Sequence, residues 1–483
     1  MSGTDRRDIV IVAAVSALLA IPFVLARWCI GQDLPAHIET AAQLLAILRG
    51  DPATTSLYEL HAPPWPNSLP TVAIAVLLAL VGGVVAGKVV TVVGLVAWPT
   101  ALAVLASTVR RPPLLALLAI PTAFDLSFSF GFTHFVVGKP LFALCIAAAI
   151  KLARAPSSRR ALAFTTLLVV LLHCHLLLFA AALGLSVVAG VIVATEQRAR
   201  IVVVVSGVTA AVPAVWWWFH KPHIPGRSTF LSPSKRLAAF WADLGDLADG
   251  AADGIPWCIA AIVVVALLGM SLRERARWRT REQLVVGVVV AACFGFWLFG
   301  PVRTAEASII AERFLAPAIA FVPLLVVIDL GPRLRTLLIT VGVVVAGTMA
   351  IEATQRWRAF STQQMGDFDA LLADIPAGAS VATQLTRPLS PHGRHNALWH
   401  WPKLVALRGG HTDDAFAYRA TCVVGVRAGQ TPPQHPTLTA PALSSWDYLL
   451  VQSPRPLPSL ARLPLTLVRA TGEWQLYRVG GER

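Results

Sequence analysis

Between Ile9 and Ile351 the chain is a succession of long apolar runs separated by short polar or basic patches. Runs of about 17 to 22 residues, helical at roughly 1.5 Å per residue, match a hydrocarbon core about 30 Å thick. One or two of them would suit a targeting signal; a long series does not. Inside a bilayer the backbone has no water to bond, which confines such runs to helices that satisfy their own N–H and C=O groups. Hydrophobic residues are 56% of the 483 and charged residues only 14%, too few to clothe a water-soluble fold. The expectation is a mainly α, polytopic transmembrane helical bundle.

The net charge of +14, from 40 Lys and Arg against 26 Asp and Glu, would raise nucleic acid as a partner in a soluble chain. Here much of the excess sits in clusters between apolar runs: Arg6-Arg7, Lys151 to Arg160, Arg198 to Arg200, Arg273 to Arg281, and Arg333 to Arg335. That is the distribution the positive-inside rule requires, and no nucleic acid is expected as a partner. Arg6-Arg7 place the N-terminus in the cytoplasm. The run Ile9 to Ile30 lacks a small-residue cleavage site and reads as an uncleaved signal anchor. Cysteines 29, 145, 174, 258, 293 and 422 show no CxxC spacing, and all but Cys422 lie in or beside apolar runs. They read as small buried hydrophobes.

The polar stretch 31–68 is then the first external loop. Asp33 or Leu34 before Pro35 signals a helix start. Ile38, Ala41, Leu45 and Leu48 fall on one stripe, as in a helix lying along the membrane surface. Further apolar segments follow at 69–107, read as two helices, 112–128 and 135–150. The segment 161–195 reads as a hairpin of two shortened helices with His173 and His175 near its outer end. The rest lie at 202–218, which closes on a tryptophan belt, and at 255–272, 284–300, 314–330 and 337–351. These give about 11 to 13 spans. Two crossings within 69–111 would leave Arg110-Arg111 outside, against the charge rule. Past Arg358 the composition turns to Gly, Pro, Ser, Thr and His. A helical stretch is expected at 368–375, with short β-type runs at 380–383, 422–426, 446–451, 465–469 and 474–479. The chain thus divides into a transmembrane module, 1–352, and a small C-terminal α/β extracytoplasmic domain, 353–483.

Residues able to do chemistry gather in the external loops. Asp33 and His37, spaced i, i+4, share a helix face, and a carboxylate beside an imidazole is what general-base activation of a hydroxyl requires. Asp33 ahead of Pro35 equally suits an ordinary helix N-cap. His173 and His175 point about 200° apart on an intact helix, so only a break lets both line one pocket; helix–helix hydrogen bonding is the other role open to them. His134 and Lys139 flank Gly138, where the lysine can meet a phosphate or snorkel at the interface. In the loop 301–313, Arg303, Glu306 and Arg313 form the preferred anchor for an anionic lipid head group, because the arginine fork suits phosphate. Glu312 with Arg313 equally suits an interfacial ion pair. His392, His395 and His400 read as solvated loop histidines rather than a metal pair.

The first span, an acidic residue early in the next loop (GQDLPAH), a short surface helix and a PPWPN entry to the following helix together resemble the GT-C superfamily of polyprenyl-phosphate-sugar-dependent glycosyltransferases. So do ERFLAP and the endings WDYLLV and GEWQLYRV. The resemblance implies a multi-pass protein of the bacterial cytoplasmic (inner) membrane that performs an inverting sugar transfer. Its partners would be a polyprenyl-phosphate-linked sugar donor, membrane lipid, and an extracytoplasmic glycan, lipid or protein acceptor. By motif, Asp33 inherits the role of the catalytic acid residue, while Arg303, Arg313 and Lys139 stabilise the departing phosphate. The loop reads Gln32-Asp33-Leu34, without a paired acidic motif, so a divalent metal is possible but not supported by such a motif, and no cofactor is assigned. Two other classes stand beside this one. A transporter or flippase of lipid-linked intermediates predicts repeats and broken helices at mid-membrane, and a membrane scaffold predicts an Asp33 spent on backbone N–H groups.

Overall fold

Each apolar segment falls on helical structure in the computed structural model, which describes residues 3–221, 226–244, 251–272, 280–393, 395–414, 421–430 and 436–480, with residues 251–253 as backbone only. The basic residues 273–279 lie outside the described residues. Among the described residues, eight helices are long and apolar enough to cross a membrane, from Gly3–Leu25 to Pro332–Met365. The chain is a multi-pass membrane protein, mainly α, with a small C-terminal sheet domain. The segment 69–107 is two helices, Leu69–Val81 and Gly83–Thr108, separated at Gly82 (φ +70°). The first rises only about 20 Å at 1.5 Å per residue, too short to cross, and this relieves the conflict with the charge rule at Arg110-Arg111.

The chain forms two compact units. One comprises Met1–Ile21, Thr91–Phe128 and His134–Glu352; the other comprises Pro22–Val90, Ser129–Thr133 and Ala353–Arg483. In the first, 161–195 is indeed a hairpin, Ser158–Cys174 and Leu176–Val193, and Gln197–His220 packs against both. Small residues set the helix spacing: a Cβ on Gly94 would lie 2.9 Å from the Val136 carbonyl oxygen, so only glycine admits that approach. Polar side chains are consumed internally. Asp8, buried, takes both guanidinium ends of Arg335, and fully buried Arg236 pairs with Glu312 at 2.7 Å. Trp297 donates to Asp243 at 2.8 Å. Cys29, Cys145, Cys174 and Cys293 are buried, whereas Cys258 is exposed on its helix.

Nine strands are described: β1 (Tyr58–Leu60), β2 (Thr229–Phe230), β3 (Pro301–Arg303), β4 (Ser380–Leu385), β5 (His411–Thr412), β6 (Val424–Val426), β7 (Tyr448–Gln452), β8 (Leu465–Thr471) and β9 (Trp474–Val479). The second unit holds a five-stranded sheet of order β5-β4-β7-β9-β8, parallel across β5-β4-β7 and antiparallel beyond. Strand β7, YLLVQ, is buried along its whole length, as a central strand covered on both faces must be. At the edge, β8 is exposed and carries Arg469, which blunts further pairing. The run at 422–426 does not join this sheet: β6 pairs antiparallel with β1 of the first loop, Tyr58 opposite Val426.

The helix Leu34–Leu48 begins where Pro35 places it. It is not a surface helix with one wet face, since every residue from Leu34 to Ala41 is buried. Leu69–Val81 and the helical turn Trp401–Arg408 enclose it. Trp28, also buried, stands edge-on to Trp401 and Phe368. The Lys88 ammonium donates to the carbonyls of Phe23 and Ala26, closing the end of the preceding helix.

Candidate active site

Asp33 occupies the N-cap position of Leu34–Leu48, yet its carboxylate accepts no cap hydrogen bond from that helix. Its backbone N–H donates to the Phe130 carbonyl at 2.8 Å. Gly131 (φ +74°) makes this approach possible, because a Cβ there would sit 2.7 Å from the Leu34 nitrogen and 2.9 Å from that of Asp33. The Asp33 side chain is 6% exposed, and its Oδ1 lies 3.5 Å from Nε2 of His400. The Gln32 side-chain amide donates to the same oxygen at 3.4 Å, while its Oε1 accepts the Asn396 N–H.

His400 occupies the N-cap position of the turn Trp401–Arg408, which carries Lys403. The other imidazole nitrogen, Nδ1, faces Asp414 at 3.6 Å. Lys403, fully enclosed, reaches Asp414 at 3.0 Å and Glu39 at 3.5 Å. The row Asp33, His400, Asp414 thus leads from a buried acid through an imidazole to a half-exposed acid, with Lys403 and Glu39 alongside. Burial pushes the Asp414 carboxyl up, but the facing His400 imidazole and the charge of Lys403 outweigh it and hold the group well below the usual carboxylate range. Tyr58 is driven the other way, by burial first and then by the charges of Glu39 and Asp414. A carboxylate flanked by an imidazole whose far side meets a second carboxylate can take a proton from a hydroxyl and hold or pass it on.

His37 lies one turn beyond Asp33, buried, its N–H donating to the Asp33 carbonyl. The remaining expected residues belong to the other unit. Lys139 is not presented to a ligand: at 1% exposure its ammonium contacts Asp125 at 2.9 Å and donates to the Thr122 carbonyl at 3.1 Å. Burial makes a partner obligatory for such a charge, and Asp125 supplies it. Glu306 pairs with Lys221, which lies over Trp217 and Trp218. Arg303 is exposed at the end of β3, opposite Thr229. Glu312 pairs with Arg236, and Arg313 meets His175. His134 is buried and His173 half-buried. The helix does break, at His175 itself, whose backbone is extended.

His400 reverses the solvated-loop reading, being buried, and His395 stacks on Phe130 with centroids 3.7 Å apart. The available signal was LWHWPKLVAL, where an imidazole and an ammonium interrupt an otherwise apolar run. Nothing local marks Asp414 or the break at His175, which has neither glycine nor proline beside it. Among the described residues, no three His, Cys, Asp or Glu side chains converge as metal ligands.

No protein-family profile matches the chain, and no curated protein sequence matches it. The fold has solved counterparts. It is similar, in particular, to ArnT from Cupriavidus metallidurans in the apo state, at TM-score 0.59 and 14% identity, covering 98% of each chain. The structure of the same enzyme bound to undecaprenyl phosphate gives TM-score 0.54, again at 14% identity and 98% of each chain.

Proposed function

We propose that this chain is a membrane glycosyltransferase that moves a sugar from a polyprenyl-phosphate donor to an extracytoplasmic glycan, lipid or protein. The observation that carries the reading is Asp33, a buried carboxylate that stands at a helix N-terminus without capping it and faces an imidazole instead. An acid retained only to start a helix would accept its N–H groups. The fold supports the donor class, since it is shared over nearly the whole chain with an enzyme solved with undecaprenyl phosphate.

In the proposed reaction Asp33 takes the proton of the acceptor hydroxyl as its oxygen bonds to the anomeric carbon. The bond from that carbon to the lipid phosphate breaks, and the phosphate leaves with the electron pair, so the anomeric configuration inverts. His400, fixed by Asp414, stabilises the protonated dyad. Basic side chains are the proposed contacts of the departing phosphate, where electrostatic stabilisation is usually the largest single contribution. The N-terminus is proposed to be cytoplasmic, with the first loop and the C-terminal domain outside.

The test is transfer of radiolabelled sugar from polyprenyl-phosphate donors in proteoliposomes, wild type against Asp33→Asn. Losing a general base lowers the rate by about 10²- to 10⁴-fold, with unchanged thermal unfolding. Equal rates in the two proteins would remove Asp33 from the mechanism.

A further inference from the structure

Past Asp33, the helix Leu34–Leu48 and the turn Trp401–Arg408 border two adjoining spaces. The smaller is a chamber of about 20 Å³ lined by Gln43 and Tyr58, and the larger is a groove of about 620 Å³ lined by Leu45, Arg49, Leu78 and Leu407. Ala42, Ala46, Ala406 and Gly409 border both, so the two meet over methyl groups and backbone. The chamber has room for one hydroxyl-sized group. The groove falls in the range of small-molecule sites.

The polar side chains of the chamber are buried without being satisfied. Gln43 is 6% exposed and Tyr58 3%, and neither Oε1 of Gln43 nor the Tyr58 hydroxyl has a hydrogen-bond partner among the described residues. A buried polar atom left unpaired is costly, and two in one chamber call for a group that pairs with both. Burial, and then the charges of Glu39 and Asp414, keep the Tyr58 hydroxyl protonated, so it donates, whereas an amide oxygen only accepts. A ligand hydroxyl does both at once, donating to Gln43 and accepting from Tyr58. The same two acidic charges repel an anion. In the groove a leucine wall stands beside the exposed Arg49, which matches the C–H face and the hydroxyl rim of a sugar ring.

We infer that this cleft binds a neutral sugar unit, with one hydroxyl seated between Gln43 and Tyr58 and the ring in the groove beside Leu45 and Leu407. Gln43 lies about 15 Å along the helix from Asp33 at 1.5 Å per residue, too far for this sugar to present the reacting hydroxyl. Resting on the function proposed above, it is a remote unit of the acceptor, whose binding energy is gained away from the reacting centre. The acceptor is then a glycan of several units.

Neutral trisaccharides of glucose, mannose, galactose and xylose are titrated onto the full chain in nanodiscs, without donor, by ligand-observed NMR, with inorganic phosphate as the anionic control. Wild type is expected to bind at least one trisaccharide and not phosphate. Tyr58→Phe and Gln43→Leu are each expected to weaken that binding about tenfold. Ala46→Leu puts a larger side chain on the wall common to both spaces and is expected to abolish it. Tyr58→Phe is expected to unfold at the wild-type midpoint, since its hydroxyl leaves no partner behind. Wild type that binds none of the trisaccharides, or that binds phosphate in their place, overturns the site. So does equal affinity in wild type, Tyr58→Phe and Gln43→Leu; with a lowered midpoint in Tyr58→Phe, that result assigns the chamber to a buried water. Transfer that depends on Asp33 in a chain that binds no trisaccharide leaves the proposed function standing without this site. Conversely, if wild type transfers no sugar but both variants lose trisaccharide binding, the transferase reading fails and the sugar site remains.

Discussion

Lys139→Met removes the ammonium from an ion pair in which both side chains are 1% exposed and 2.9 Å apart. At an effective dielectric of about 20 the attraction at that distance is roughly 6 kcal/mol, most of it offset by the cost of bringing both charges out of water. In the variant Asp125 keeps the Phe128 N–H at 3.0 Å but loses the ammonium contact, with no solvent to replace it. Breaking a buried pair from one side costs about 3–5 kcal/mol, whereas replacing both members by apolar groups is often neutral. Lys139→Met is therefore expected to lose that amount, and Lys139→Met/Asp125→Leu to recover most of it. The assay is equilibrium unfolding in mixed micelles of wild type, Lys139→Met, Asp125→Leu and the double variant, read as a double-mutant cycle. A loss under about 1 kcal/mol in Lys139→Met, or a double variant no more stable than the single, would refute the reasoning. The same double variant is expected to bind undecaprenyl phosphate as wild type does. Failure to bind, with stability intact, would make Lys139 a phosphate contact after all.

Gly131→Ala puts a methyl 2.7 Å from the Leu34 nitrogen at a left-handed backbone position, and so displaces the start of the Asp33 helix. It is expected to cost about 1–3 kcal/mol and to lower transfer, measured by unfolding and by the proteoliposome assay; wild-type values in both would show that the loop absorbs the change. Asp414 titrates below its ordinary value of 3.8 in the folded chain. Its contribution to stability is therefore complete above about pH 4 and lost as the pH falls further. The difference in unfolding midpoint between wild type and Asp414→Asn should shrink from pH 6 to pH 3, and a gap independent of pH would contradict the pairing with His400 and Lys403.

The helical segments and all five C-terminal β-type runs were legible because each is written locally, in apolar length, in period, and in the turn residues that bound it. The helix start at Pro35 was legible for the same reason. The pairing of β6 with β1 was not: a three-residue run satisfies its backbone equally well on any open edge, and the choice of Tyr58–Leu60 depends on where the first loop lies in its unit. Lys139 shows the limit from the other direction. A lysine beside glycine and proline in an apolar run reads as a ligand or a snorkelling residue, and only the packed helices show that Asp125 and the Thr122 carbonyl wait for it.

Sequence alone determined that this chain lives in a bilayer, how its apolar helices and terminal strands are spaced, and that Asp33 stands at a helix start. Those properties follow from solvent and backbone, which act on neighbouring residues. The tertiary structure decided which imidazole meets Asp33, namely His400 and not His37, and brought His175 of the hairpin against Arg313. The physical reason is that a side-chain contact a few ångströms long between residues more than a hundred positions apart leaves no periodic trace in either segment, and is specified only by how their helices pack.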